Sequence, residues 1–323
     1  MNILITSAGR RVGLVRSFQA ELKKKYPTSK VYTAEINPQW SSACRISDEY
    51  FTIPRVDDEN YVNSILDLCK QYRIKIVIPT IDTELMGLSR AKELFSLNNI
   101  QIIVSDFDFI SKCRDKRLTN ILFNDLSINV PRAINKENPS FPLFIKPYDG
   151  SLSKDIFLIK QKDELTDSLL NNPKLMYMEY INPSDFHEYT IDAYYDKHSD
   201  LKCLVPRRRI EVRGGEISKG RTEKLDFYEI LKSKFSFIKG AMGCLTIQVF
   251  IGEVTRDIIG IEINPSFGGG YPLSYASGAN YPQYIIQEYL MNEPVEFNDN
   301  WIENRVMLRF DSEVILDHDD FTI

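Results

Sequence analysis

The chain has 323 residues, 43% hydrophobic and 26% charged, with a formal net charge of −5. That composition is ordinary for a globular protein long enough for two or three domains. The weak negative balance offers no broad field to nucleic acid or an acidic membrane, and no apolar run approaches the roughly 18 residues of a membrane span. Neither partner is expected. In "MNILITSAGRR" the basic residues follow the short apolar run, the reverse of a secretory signal, so a cytoplasmic location is expected. Cys44, Cys69, Cys113, Cys203 and Cys244 are scattered without C-x-x-C spacing and read as reduced core or surface residues. His187, His198 and His318 are too few and too dispersed for a histidine metal site, and His318 lies in an acidic tail.

Strand and helix patterns alternate through the first hundred residues. "NILIT" is a short apolar run, and Val12, Val15, Phe18 and Leu22 then recur at helical spacing. "KVYTAEIN", "IKIVIPT" and "IQIIVS" follow as strands, separated by the amphipathic stretches "YVNSILDLCKQY" and "ELMGLSRAKELFSLN". This alternation predicts βαβ units and a parallel sheet, with ligands at the carboxyl ends of the strands. "TSAGRR", Glu35 and "TIDTE" fall on that edge. Arg10 and Arg11 flank either an anion site or a tight βα-turn; Asp82 and Glu84 either bind a ligand or cap the next helix. One helical stretch, "FISKCRDKRLTNILFNDL", leads to a break at Pro131. From there the pattern turns strand-rich, with helices expected at about 162–171, 225–240 and 280–292 and a late strand in "RVMLRFD".

Three stretches carry candidate chemistry. In "FPLFIKPYDGSLSKDIFLIK", Lys146 ends an apolar strand before a turn of small and polar residues. Such a hairpin either lays backbone N–H groups over phosphates or is a surface turn with one solvated lysine. In "MYMEYINPSDFHEYTIDAYYD", Glu179 and Glu188 flank a turn, placed either to bind polar ligand groups or as edge charges. In "IEINPSFGGGYP", Glu262 and Asn264 are two apart on a strand and point to one face. If that strand pairs with "CLTIQVFIG", Gln248 joins them as a third oxygen donor, a set suited to Mg²⁺. The alternative is a polar strand end capped by an Asn-Pro turn.

In this order the stretches resemble the ATP-grasp superfamily, and within it the branch similar to carbamoyl phosphate synthase large subunits and carboxylate–amine ligases. The resemblance covers nearly the whole chain. It implies an α/β plus α+β architecture: a Rossmann-like pre-ATP-grasp domain over 1–112, a linker helix and lid over 113–180, and a C-terminal α+β domain with the metal site over 181–323. Lys116 and Lys146 match the family's phosphate-binding lysines, and Gly150 to Lys154, with Ser151 and Ser153, match its mobile phosphate loop. Glu179, Tyr180 and Ile181 match the adenine segment, and Glu188 the ribose ligand. Gln248, Glu262 and Asn264 match the ligands of Mg²⁺ or Mn²⁺ beside ATP. Where many relatives carry arginine after "INP", this chain has Ser266. The basic run "PRRRIEVRGGEISKGRT" then offers Arg207, Arg209, Arg213, Lys219 and Arg221, of which two are expected to meet a substrate anion and the others to be solvated strand charges, and Arg209, Lys219 and Arg221 join Lys146 as expected catalytic residues. The activity implied is an ATP-dependent carboxylate–amine or carboxylate–thiol ligase that passes through an acyl phosphate. Its partners would be small carboxylates and amines, and resembling enzymes include homodimers. The alternatives are a non-catalytic ATP-binding module and a carbamoyl-phosphate-synthase-like enzyme that releases an acyl phosphate.

Overall fold

The computed structural model describes residues 1–150 and 155–317. Its first sheet is parallel and built from β1 (Asn2–Thr6), β2 (Val31–Glu35), β3 (Glu49–Thr52), β4 (Ile74–Ile78) and β5 (Gln101–Ile102), in the order β3-β2-β1-β4-β5. Successive side chains of a strand face opposite sides, and β1 divides its residues accordingly. Ile3 and Ile5 enter one core with Val15 and Phe18 of the helix Val12–Lys25, while Leu4 enters another with Ile65 and Val77. Burial on both faces is why "NILIT" and "IKIVI" carry consecutive apolar residues, Ile3 to Ile5 and Ile76 to Ile78, rather than an alternating pattern. β3 is an edge strand that hydrophobic patterning does not signal, because three of its four residues are exposed.

A second, small antiparallel sheet contains β6 (Leu143–Pro147), β7 (Phe157–Ile159) and β8 (Leu175–Glu179), in the order β7-β6-β8. Among the described residues its buried core is Leu143, Ile145 and Ile159. The third sheet is antiparallel, with β9 (Phe186–Tyr195), β10 (Leu201–Arg213), β11 (Glu216–Thr222), β12 (Gly243–Gly252), β13 (Ile258–Asn264) and β14 (Val306–Leu308). The order is β13-β12-β9-β10-β11-β14, so the late strand expected in "RVMLRFD" forms an edge.

The helical stretch before Pro131 is two helices, Phe107–Arg114 and Lys116–Asp125. Asp115 breaks it with extended backbone angles (φ −105°, ψ 110°), and its carboxylate accepts a hydrogen bond from the Arg117 N–H. That break sets Lys116 at the first position of the second helix. The segments that follow β5 and precede β12 are joined by hydrogen bonds: Asp106 N–H donates to Gly240 O at 2.8 Å, and Met242 N–H donates to the Ser105 side-chain Oγ at 3.0 Å. The helices expected at 225–240 and 280–292 are shorter, at Tyr228–Lys234 and Tyr281–Tyr289. Among the described residues no helix is long and apolar enough to cross a membrane.

Candidate active site

Register across the third sheet assembles the site. Glu262 lies opposite Gln248, Gln248 opposite Thr190, and Thr190 opposite Arg207. Directly opposed residues in an antiparallel sheet project to the same side, and all four line a cavity of about 700 Å³. Two residues along each strand, Asn264, Thr246 and Asp192 form the next row. Two residues back on β9 stands Glu188, whose Oε1 is 3.2 Å from Arg209 Nε.

The strand pairing that a three-donor cation site requires is present. Glu262 Oε1 accepts from Gln248 Nε2 at 2.8 Å and from Asn264 Nδ2 at 3.0 Å. One carboxylate and two carboxamides therefore converge on a point, and a half-turn of either amide presents its oxygen there. An all-oxygen donor set with a single protein charge suits Mg²⁺, which retains waters and takes phosphate oxygens as further ligands. The residues fit that ion. No cluster of three His, Cys, Asp or Glu side chains offers an alternative among the described residues.

The small sheet closes over this floor. Lys146, at the end of β6, is half-buried, and its amine is pushed down to about 8 by burial, opposed by the Glu262 carboxylate and assisted by Lys116. Lys116 is tied to the segment after β6: its backbone N–H donates to Tyr148 O at 2.9 Å and its Nζ to Gly150 O at 2.5 Å. Glu179, Tyr180 and Ile181 line the cavity where β8 passes into β9. Glu179 is fixed by Arg132, whose backbone N–H donates to Oε1 at 2.9 Å. Burial raises the Glu188 carboxyl, Arg209 draws it back, and Glu262 adds to the rise.

Two family models match the chain, one described as the N-terminal domain of PylC-like proteins over residues 3–103 and one as ATP-grasp in the biosynthetic pathway with Ter operon over residues 171–307. The chain has the ATP-grasp fold, and residues 171–307 match an ATP-grasp family. Curated protein sequences gave no significant match. Among solved structures, the biotin carboxylase domain of Hydrogenobacter thermophilus 2-oxoglutarate carboxylase, crystallised with MgADP, ADP and bicarbonate, superposes with a TM-score of 0.71 at 14% identity, over 94% of this chain and 73% of that one. N5-carboxyaminoimidazole synthetase from Staphylococcus aureus gives 0.69 at 15% identity, over 94% and 79%. L-amino acid ligase from Bacillus licheniformis gives 0.66 at 16% identity, over 91% and 75%. At such identities the likeness is one of fold.

The ATP-grasp cleft gathers some of the expected site residues and leaves others aside. Lys116, Lys146, Gly150, Glu179, Tyr180, Ile181, Glu188, Arg209, Gln248, Glu262 and Asn264 all line it. Ser151, Ser153 and Lys154 lie outside the described residues. Lys219 and Arg221 do not line the cavity. Arg209 faces Gly220 and Arg207 faces Thr222 across the β10–β11 pair, so these even-numbered positions share the cleft side. Arg221 is opposite Arg208 instead, and its Nε donates to Glu223 at 2.9 Å; Lys219 Nζ donates to Glu211 at 2.7 Å.

The first sheet contributes more to the ATP-grasp cleft than its composition announces. Arg11 lines it and bridges two sheets, donating from Nη1 to Phe267 O at 2.6 Å and from Nη2 to Thr80 O at 2.9 Å. Asp82 lines it as well, its carboxyl raised by burial. Glu84 is a cap: fully buried, it accepts from the N–H groups of Thr80 (2.7 Å) and Ile81 (3.0 Å) and from the Ser7 and Tyr61 hydroxyls. The spacing "TIDTE" did not separate these two roles, because both carboxylates fall in the first turn of one helix.

Proposed function

We propose that the protein is an ATP-dependent carboxylate–amine ligase working through an acyl phosphate. The observation that carries this reading is the convergence of Gln248, Glu262 and Asn264 beneath Lys146 in one cavity. The family-model match over 171–307 and the fold shared with a structure holding MgADP support a nucleotide in that cavity. Gln248, Glu262 and Asn264 would hold Mg²⁺ (or Mn²⁺), which would offset charge on the polyphosphate.

The chain's own groups do the rest by position. Glu179, Tyr180 and Ile181 take the adenine, Glu188 the ribose, and Lys146 and Lys116 the phosphates. A substrate carboxylate oxygen attacks the γ-phosphorus, the bond to the β–γ bridging oxygen breaks, and ADP leaves. The amine lone pair then attacks the acyl carbon, phosphate departs with the C–O electron pair, and the nitrogen loses a proton. Phosphoryl transfer of this kind needs orientation and electrostatics rather than a protein nucleophile. The β6–β8 sheet, seated over the floor, excludes water from the acyl phosphate.

Mg²⁺-dependent ADP release across a panel of carboxylic acids and amines tests the reading, with Glu262→Gln alongside. Release that requires both partners and is lost in the variant is expected. Release with an acid alone would mean acyl-phosphate formation without ligation. ATP binding with no turnover by any pair would leave a binding module, and no ATP binding at all would end the proposal.

A further inference from the structure

β14 is the last strand of the third sheet, and the side it leaves open is apolar. It pairs with β11, Val306 opposite Arg221, Met307 opposite Gly220 and Leu308 opposite Lys219. To either side of those residues the backbone stays tied to β11: Thr222 N–H donates to Arg305 O at 3.0 Å, and Arg309 N–H donates to Ser218 O at 2.8 Å. Peptide groups of a strand point alternately to its two sides, so Arg305, Met307 and Arg309 spend theirs on β11. Those of Val306, Leu308 and Phe310 point outward, and no backbone group among the described residues meets them. The side chains alternate in step. Val306, Leu308 and Phe310 are 53%, 67% and 78% exposed on one face, while Arg305, Met307 and Arg309 are half-buried on the other. None of the three outward positions carries the lysine or proline that commonly protects a sheet edge.

The edge is complementary to itself. With two copies antiparallel and the two-fold axis at Leu308, the outward peptide groups of one copy meet those of the other. Leu308 then stands opposite Leu308 and Val306 opposite Phe310, while Arg305 on the other face stands opposite Asp311. With the axis moved one residue, to Met307, Arg305 would face Arg309 and Asn304 would face Phe310, so like charges and a polar–apolar pair disfavour that register. Lys219 and Arg221, the cations beside the apolar row, are spent on Glu211 and Glu223 of their own chain. The same strand reaches the cleft: Arg309 donates to Glu216 at 2.6 Å and to the Gly269 carbonyl, both in the cavity wall.

We infer that β14 is an interface between two copies of this chain, which pair antiparallel about Leu308 and continue the six-stranded sheet across the two-fold axis. Such an isologous contact closes on itself and leaves no free β14 edge. Self-pairing requires nothing of the ligase chemistry. It sets the cleft wall held by Arg309 next to the axis.

Sedimentation velocity of the whole 323-residue chain reads the association. Wild type is expected to pass from monomer to dimer between about 1 and 100 µM, and Leu308→Lys and Leu308→Glu each to raise that range by about 10-fold or more. An equimolar mixture of the two variants is expected to dimerise again. Only at a two-fold axis does a residue meet its own copy, and there lysine faces glutamate. Leu308 is exposed, so either charge leaves the fold intact, which circular dichroism checks. Leu308→Cys is expected to form an intermolecular disulfide on mild oxidation, since Cα atoms about 5.5 Å apart suit that bond. Wild type, with four of its five cysteines buried, is not. A wild type monomeric throughout would overturn the inference, as would a dimer that survives both charged variants. A mixture that stays monomeric, or a Leu308→Cys protein that does not cross-link, would remove the two-fold axis from Leu308. None of these measurements involves nucleotide, so failure here and failure of the ligase reading are told apart.

Discussion

Glu262 and Arg207 stand in one cross-strand row, linked through Gln248 and Thr190. Three strand spacings of about 4.8 Å put their backbones about 14 Å apart, with every intervening side chain on the cleft side. The only carboxylate in that row is Glu262. Glu262→Gln is therefore expected to lower ADP release by about 100-fold or more, since it removes the sole charged donor from the proposed cation site. A melting temperature within a few degrees of wild type, measured together with a Mg²⁺ titration, would show that the loss is local. Full activity in the variant would rule Glu262 out as a ligand.

Lys146 gives a pH signature. Its folded amine is pushed down to about 8, against about 10.4 for a free lysine. Between those values the unfolded chain holds a proton that the folded chain has released, so this group makes the unfolding free energy rise with pH across that window. Phosphates placed against the amine favour its charged form, so ADP binding near pH 8.5 is expected to take up part of a proton. Calorimetry in buffers of different ionisation heat measures that uptake, and Lys146→Met should abolish it. Equal uptake in both proteins would assign the proton to another group.

The Arg207–Asp192 pair is fully desolvated, with side chains 1% and 0% exposed. Removing one member leaves the other charge buried without compensation. Asp192→Ala is expected to cost about 3–5 kcal/mol of stability, and Ser274→Ala, which deletes one hydrogen bond to the same carboxylate, about 1–3 kcal/mol. Denaturant unfolding of the two variants measures both. A larger loss in Ser274→Ala than in Asp192→Ala would contradict this ordering.

Gly260 on β13 lets the helix Lys116–Asp125 pack closely, since a Cβ there would come within 2.5 Å of the Phe123 ring. Gly260→Ala is expected to destabilise by about 1–3 kcal/mol through overpacking. Because Lys116 begins that helix and reaches Gly150 O, ADP affinity should fall as well. Lys116→Met isolates the second effect: weaker ADP binding with stability nearly unchanged. Nucleotide titration beside thermal melting separates the two contributions, and unaltered ADP affinity in both variants would take Lys116 out of the phosphate site.

Local pattern was enough for the alternating βαβ segment, because strands buried on both faces must be apolar and amphipathic helices repeat at 3.6 residues. It was also enough to put Glu262 and Asn264 on one face, because side-chain alternation along a strand is a covalent property of the chain. Sequence alone thus determined the order of the candidate stretches and the donor types at the proposed cation site. The assignment of the basic run needed the tertiary structure. Arg207, Arg209, Lys219 and Arg221 are equivalent charges in the sequence, and all four have odd numbers. Register across the turn between β10 and β11 pairs Arg209 with Gly220 and Arg208 with Arg221, which sends Arg221 to the opposite face, while an irregularity between Arg209 and Glu211 sets Lys219 against Glu211. The burial of Arg207 was equally invisible, because its cause is the approach of Gly270, 63 positions away, and the claim of Asp192 on the guanidinium. Which charge a cavity receives depends on strand register and on what the packed neighbours cover, and neither is a property of any local stretch of chain.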